Sequence, residues 1–230
     1  MKKISIRGVI SNNDDAWIYD YFGMEATSPK MVDDAITQAN GDYLEVEINS
    51  GGGSVFAGSE IYTTLKSYTG NVTTKIVGIA ASAASVIAMA GKKVVMSPTA
   101  QFMIHNVSAM TAGDYRDMEH SSEILKSAND TVANAYRIKT GKSQEELLAL
   151  MDKESWFTAD RAKEIGFIDE VMFDSEPQLV ASAYMPATLP PEVIQKMRNS
   201  KIKPQESPND EAVFLMQSKL KYLKLKGDIE

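Results

Sequence analysis

The stretch IVGIAASAASVIAMAG, residues 76–91, holds two serines among eight alanines and glycines and carries no charge. Two kinds of chemistry fit it. Small residues let a helix pack closely on a sheet, with its serine hydroxyls bonded back to backbone carbonyls. A serine at the mouth of a helix that follows a buried strand instead sits beside free backbone N–H groups, which can hold a developing oxyanion. Ser82 lies near such a junction and Ser85 one turn deeper. A serine nucleophile needs a base, and there are two histidines. His105 follows the strand-like run QFMI, whereas His120 lies in DYRDMEHSSEIL and reads as a solvated helix side chain. An acid that orients the imidazole completes the arrangement, and MDKESWF supplies Asp152 and Glu154. The chain has no cysteine, so thiol nucleophiles, disulfides and thiolate metal sites are excluded.

INSGGGSV reads as a tight turn from strand to helix, its glycines exposing N–H groups and permitting positive φ. It matches neither the phosphate-loop pattern nor the dinucleotide fingerprint. In a parallel sheet the carboxyl ends of neighbouring strands lie together, which would set this turn beside that of Ser82.

The elements that must position these residues follow from periodicity. Strands are expected over 3–10, 43–49, 71–79, 92–97 and 101–106, with SNNDDAW as a turn after the first. Helices are expected from Pro29, with Ser28 as N-cap, over VFAGSEIYTTLKSY, and over the small-residue segment from Ala84 to Ala90. Strands alternating with helices through short connections predict an α/β class with a largely parallel sheet. A long polar helix then spans about 112–140, followed by a helix capped by Ser143 with Glu146 as its capping-box partner. Another, capped by Thr158, ends at Gly166 before a last short strand. Beyond Phe173 the composition shifts to a linker holding most of the eight prolines, with two short amphipathic helices. The organisation expected is a domain over 1–173 and a tail over 174–230.

The formal net charge is −7, and all of it lies in residues 1–173. A general nucleic-acid surface needs a cationic face, so that class is disfavoured. No uncharged apolar run reaches the roughly 18–20 residues of a membrane span. MKKISIRGVI holds too short an apolar run for a signal peptide, and a cytoplasmic location is the expectation.

INSGGGSVFAGSEIY, GIAASAASVIAMAG, FMIHN and FTADRAKEIGFIDEV, in that order, resemble the Clp proteolytic subunit family of serine peptidases. The resemblance covers about residues 4–173. It implies a spiral of strand–strand–helix units, as in the crotonases, with residues 112–140 as a handle helix through which rings meet. It selects Ser82 over Ser85 as nucleophile and His105 as base, and it implies an oxyanion hole from the N–H groups of Gly53 and Ala83. It needs no cofactor and no metal. Gly51 stands where the family has proline. Anchoring on Ala159 puts Glu154, in place of the usual aspartate, at the third position, with Asp152 as the other candidate. The GGG variant, the SWFTA segment, the first strand beginning at residue 3 and the proline-rich tail resemble the phage head-maturation branch. That branch implies self-assembly, capsid and scaffold precursors as substrates, action in the host cytoplasm or the assembling head, and no ATPase partner. The alternatives are a housekeeping subunit working with an ATPase, a crotonase-like acyl-CoA enzyme, and a catalytically silent assembly protein.

Overall fold

The computed structural model describes residues 1–174; the proline-rich linker and the tail helices expected beyond them lie outside the described residues. The elements run β1 (Lys2–Ile10), α1 (Ala16–Tyr21), β2 (Ala26–Thr27), α2 (Pro29–Ala39), β3 (Leu44–Gly53), α3 (Val55–Ser67), β4 (Val72–Ala81), α4 (Ala83–Ala88), β5 (Lys93–Met96), β6 (Gln101–Ile104), α5 (Tyr115–Thr140), α6 (Gln144–Asp152), β7 (Ser155–Phe157), α7 (Ala159–Ile165) and β8 (Glu170–Val171). The α/β class is as expected, and the strands order β2-β1-β3-β4-β5-β8 with all neighbours parallel.

The feature that positions the site is a fork in β4. Its first half, Thr73 to Ile76, pairs with β5, while Ile79 to Ala81 pair with β6. Between the halves the register against β3 slips, from Ile48 opposite Ile76 to Ser50 opposite Ala80. The slip has a local cause. Asn49 turns its Oδ1 into the gap and accepts the Ile79 N–H at 3.2 Å. A Cβ on Gly78 would stand 2.3 Å from that oxygen and would push the Asn49 amide out of the gap.

The core lies on one face of β1, β3 and β4, while Lys3 pairs with Glu47 and Lys75 with Glu45 on the other. Leu44, Val46 and Ile48 alternate inward along β3 and are fully buried, each contributing about 1.5–3 kcal/mol by leaving water. Every residue of α4 is buried, and its small side chains explain the composition of 76–91. A Cβ on Gly58 of α3 would come 2.9 Å from the Ala83 Cβ, so α3 and α4 meet almost backbone to backbone. At the other end Phe102, Phe157, Phe167 and Tyr136 form one aromatic cluster, with ring centroids 4.9 to 6.3 Å apart. Only Ala133, Ala135 and Tyr136 of α5 are buried, so its C-terminal third docks while the rest projects.

The expected caps form at Ser143, with Glu146 completing the box, and at Thr158, and α7 ends at a left-handed Gly166. Four expectations change. The glycine triplet is not a turn but the end of β3, where Gly52 and Gly53 pair with Val9 and Ile10 of β1. Ser54 caps α3 by accepting the Ala57 N–H. The small-residue helix stops at Ala88, short of Ala90, and SNNDDAW leads into α1 instead of a plain turn. SWF forms β7, antiparallel to β6, which alternation over so short a run does not announce.

Gly78→Ala is expected to lower stability by about 1–3 kcal/mol in urea denaturation, and adding Asn49→Ala should recover part of that loss. Equal losses in the single and double variants would show that the two side chains do not compete for one space.

Candidate active site

β4 ends at Ala81 and α4 begins at Ala83, leaving Ser82 as the whole connection. Its backbone has φ 54° and ψ −126°, a region that costs a side-chain-bearing residue of order 1–3 kcal/mol. The turn is so sharp that the side chain stands out at its apex, the geometry of a nucleophile elbow. The conformation is held from several sides. The Ser82 N–H donates to the Met103 carbonyl at 3.1 Å, and the Ser82 carbonyl accepts the Ser85 N–H at 2.9 Å and the Ser85 hydroxyl at 2.6 Å. Gly52, at φ 99°, passes so close that a Cβ would lie 2.7 Å from the Ser82 Cβ.

The β4 fork brings His105 to Ser82. β6 lies parallel to the end of β4, with Met103 opposite Ala81, so His105 emerges beside Ser82. His105 Nε2 and Ser82 Oγ are 2.8 Å apart and hydrogen-bonded, Nε2 accepting from the hydroxyl in the tautomer that a general base requires. His120 is exposed on α5, as expected. Gly53 and Ala83 border the same cavity as Ser82 and His105. Gly52 brings the β3 end against Ala83, its Cβ position lying 3.1 Å from the Ala83 nitrogen.

The acids are placed differently from the other two groups. Glu154 follows α6 in the left-handed region, at φ 47°, and is exposed. Its Oε1 accepts the Trp156 indole N–H at 3.4 Å. Asp152 Oδ1 accepts from the Asn106 amide at 2.8 Å. Among the described residues, no hydrogen bond joins the His105 ring to either carboxylate.

Ser85 is settled as structural. It is fully buried, and its hydroxyl shares a 2.7 Å hydrogen bond with Tyr136 as well as reaching the Ser82 carbonyl. Burial raises the Tyr136 pKa above its usual value, partly offset by the Ser85 bond. Tyr136 thereby ties α5 to the nucleophile turn. Reading the sequence missed this, because its one signal is a tyrosine among the alanines Ala133 and Ala135 of an otherwise polar helix.

A cavity of about 500 Å³ opens from Ser82 and His105 between α3, α4 and α5. Val55, Phe56, Val86, Ile124 and Val132 make its walls, and among the described residues no Asp, Glu, Lys or Arg lines it.

A family profile described as Clp protease matches residues 35–175, which takes in β3, the glycine triplet, Ser82, His105 and Glu154. The chain belongs to the Clp protease family. Relatives agree. The "ATP-dependent Clp protease proteolytic subunit 1" of Chlamydia abortus is 36% identical over 131 residues, covering 55% of this chain and 68% of its own. The protein of that name from Chlamydia caviae is 33% identical over 166 residues, 66% of this chain and 85% of its own. The "ATP-dependent Clp protease proteolytic subunit" of Bacteroides fragilis is 36% identical over 134 residues, 57% and 65%. Over such Clp relatives the matched share of their own length ranges from 60% to 85%. The chain is thus a serine-type peptidase of the Clp class, and the crotonase alternative, which has no need of a Ser–His pair, falls away.

Ser85→Ala is expected to cost about 1–3 kcal/mol, since it leaves the buried Tyr136 hydroxyl without its partner, and Tyr136→Phe less, since Ser85 still donates to the Ser82 carbonyl. The double variant should cost less than their sum. The sign of the pH effect follows from the raised Tyr136 pKa. Stability tied to its protonation is present below the usual tyrosine value of about 10 and declines as pH rises past it. Urea titrations from neutral to alkaline pH should show that decline reduced in Tyr136→Phe.

Proposed function

We propose that this chain is a self-assembling serine endopeptidase of phage head maturation, cleaving capsid and scaffold precursors. The observation that carries the catalytic part is the 2.8 Å Ser82–His105 hydrogen bond at the mouth of an uncharged cavity. Ser82 Oγ attacks the scissile carbonyl carbon while its proton passes to His105 Nε2. The N–H groups of Gly53 and Ala83 hold the resulting oxyanion, where preorganised donors are worth most. Collapse of the tetrahedral intermediate breaks the C–N bond, and His105 gives its proton to the leaving amine. A water then enters, loses a proton to His105 and releases the acid product from Ser82. Glu154, at the family's acid position, orients the imidazole once its carboxylate leaves Trp156. The cavity takes a neutral side chain of the substrate, because its walls offer a charge no partner.

Support for the phage branch lies in the sequence: GGG at 51–53, SWFTA at 155–159 and the proline-rich composition after Phe173. Self-association is supported by the projecting part of α5, where Tyr115, Met118 and Ile124 are exposed. The relatives, proteolytic subunits of ATP-dependent Clp proteases, favour a second reading, a proteolytic subunit that works with an ATPase.

A fluorophosphonate probe should label the wild type, and Ser82→Ala and His105→Ala should each abolish labelling while Ser85→Ala keeps it. Labelling that survives Ser82→Ala would overturn the nucleophile. Co-expression with a phage capsid precursor should shorten that precursor with the wild type and not with Ser82→Ala. Degradation of a folded, tagged substrate only when an ATPase is added would favour the second reading.

A further inference from the structure

The segment that carries His105 is pinned residue by residue. His105 bonds Ser82, the Asn106 amide donates to Asp152 Oδ1 at 2.8 Å, and the Val107 N–H donates to Asn129 Oδ1 of α5 at 2.7 Å. Asn106 does not sit there for its own stability. Its Oδ1 is buried with no hydrogen-bond partner among the described residues, an arrangement that costs about 1–3 kcal/mol. The amide cannot relieve this by turning over. That would leave the amide nitrogen buried without an acceptor and set its oxygen against the Asp152 carboxylate. The Asp152 bond therefore holds one orientation of Asn106, and with it the backbone that leads out of His105. Asp152 belongs to the end of α6, so the clamp joins the helical layer to the end of β6.

We infer that Asp152 is a positioning residue for this peptidase, acting on His105 through the Asn106 amide and not as the carboxylate that bonds the imidazole. What it supplies is an acceptor oxygen, not a charge on the ring. The role is separate from that of Glu154, and it rests on the Ser82–His105 reading of the site. Loss of the clamp frees the 105–107 segment at one of its pins, and a displacement of about 1 Å at a catalytic group can cost on the order of a hundredfold in rate.

The test compares Asp152→Ala, Asp152→Asn, Asn106→Ala and the double Asp152→Ala/Asn106→Ala, all in the full chain, by rate of fluorophosphonate labelling across pH. Asp152→Ala should label about tenfold or more slowly. Asp152→Asn keeps an acceptor oxygen and should stay within about threefold of the wild type. Asn106→Ala should match Asp152→Ala, and the double variant should be no slower than either. The pH midpoint of labelling should be unchanged in all of them, with thermal melts showing each variant folded at the assay temperature. Asp152→Asn as slow as Asp152→Ala, with a displaced midpoint, would overturn the inference and make Asp152 the imidazole's own acid. Wild-type labelling at the rate of Ser82→Ala would instead count against the proposed function. A second readout decides the clamp even then. Crystal structures should show the His105 Nε2–Ser82 Oγ contact opened beyond hydrogen-bonding reach in Asp152→Ala and kept in Asp152→Asn. Retention of the 2.8 Å contact in Asp152→Ala would sink it.

Discussion

Ser82 is held in a backbone conformation that an isolated chain would avoid, and the parts of the domain around it supply what keeps it there. β4 delivers the residue from one side and α4 begins directly after it, so both of its flanking peptides belong to packed elements. Its N–H is taken by Met103 and its carbonyl by Ser85, which leaves no backbone group whose bonding would improve if the turn relaxed. On the open side Gly52 approaches as closely as a residue without a side chain can. A local cost of order 1–3 kcal/mol is easily sustained when a whole buried helix and two strands would have to move to relieve it. The result is a hydroxyl standing at an apex and meeting the His105 imidazole.

The placement of charge follows the same logic. The body carries the whole negative charge of the chain, yet among the described residues no Asp, Glu, Lys or Arg lines the cavity beside Ser82. Apolar walls lower the local dielectric and strengthen whatever hydrogen bonds meet a developing oxyanion. The acids lie outward, many in exposed ion pairs such as Lys30–Asp34 and Arg161–Glu164, which contribute little to stability. What holds the site is apolar burial together with a few buried polar bonds, of which Ser85–Tyr136 reaches furthest, linking the handle helix to the nucleophile turn.

Much of this was legible in the sequence, for identifiable reasons. Period-2 runs marked β1, β3 and β4 because one-residue alternation is hard to produce otherwise, and caps at Ser143 and Thr158 marked helix starts because their side chains bond local backbone. Ser82, His105 and the glycine triplet carried enough pattern to be singled out together. The strand state of the triplet was not legible, since glycine's composition argues for a turn and only pairing with β1 overrides it. Nor was β7, whose three residues form a strand because β6 offers a free edge.

By itself, the sequence determined the class of fold and the smallness of everything near Ser82, because both are written in residue type and local spacing, while Ser82 and His105 were singled out by the resemblance of their motifs to the Clp family. The tertiary structure decided what depends on distance. It forked β4 through Asn49 and Gly78, and so brought His105 to Ser82 across 23 residues of chain. It turned Ser85 inward to Tyr136, 51 residues away. It also separated Asp152 and Glu154, two residues apart with Glu154 the one that alignment on Ala159 favoured, sending one carboxylate to Asn106 and the other to Trp156. Neighbours in a chain can face opposite ways where a helix ends in a left-handed residue, and φ at Glu154 is a property of the packed domain that no local pattern encodes.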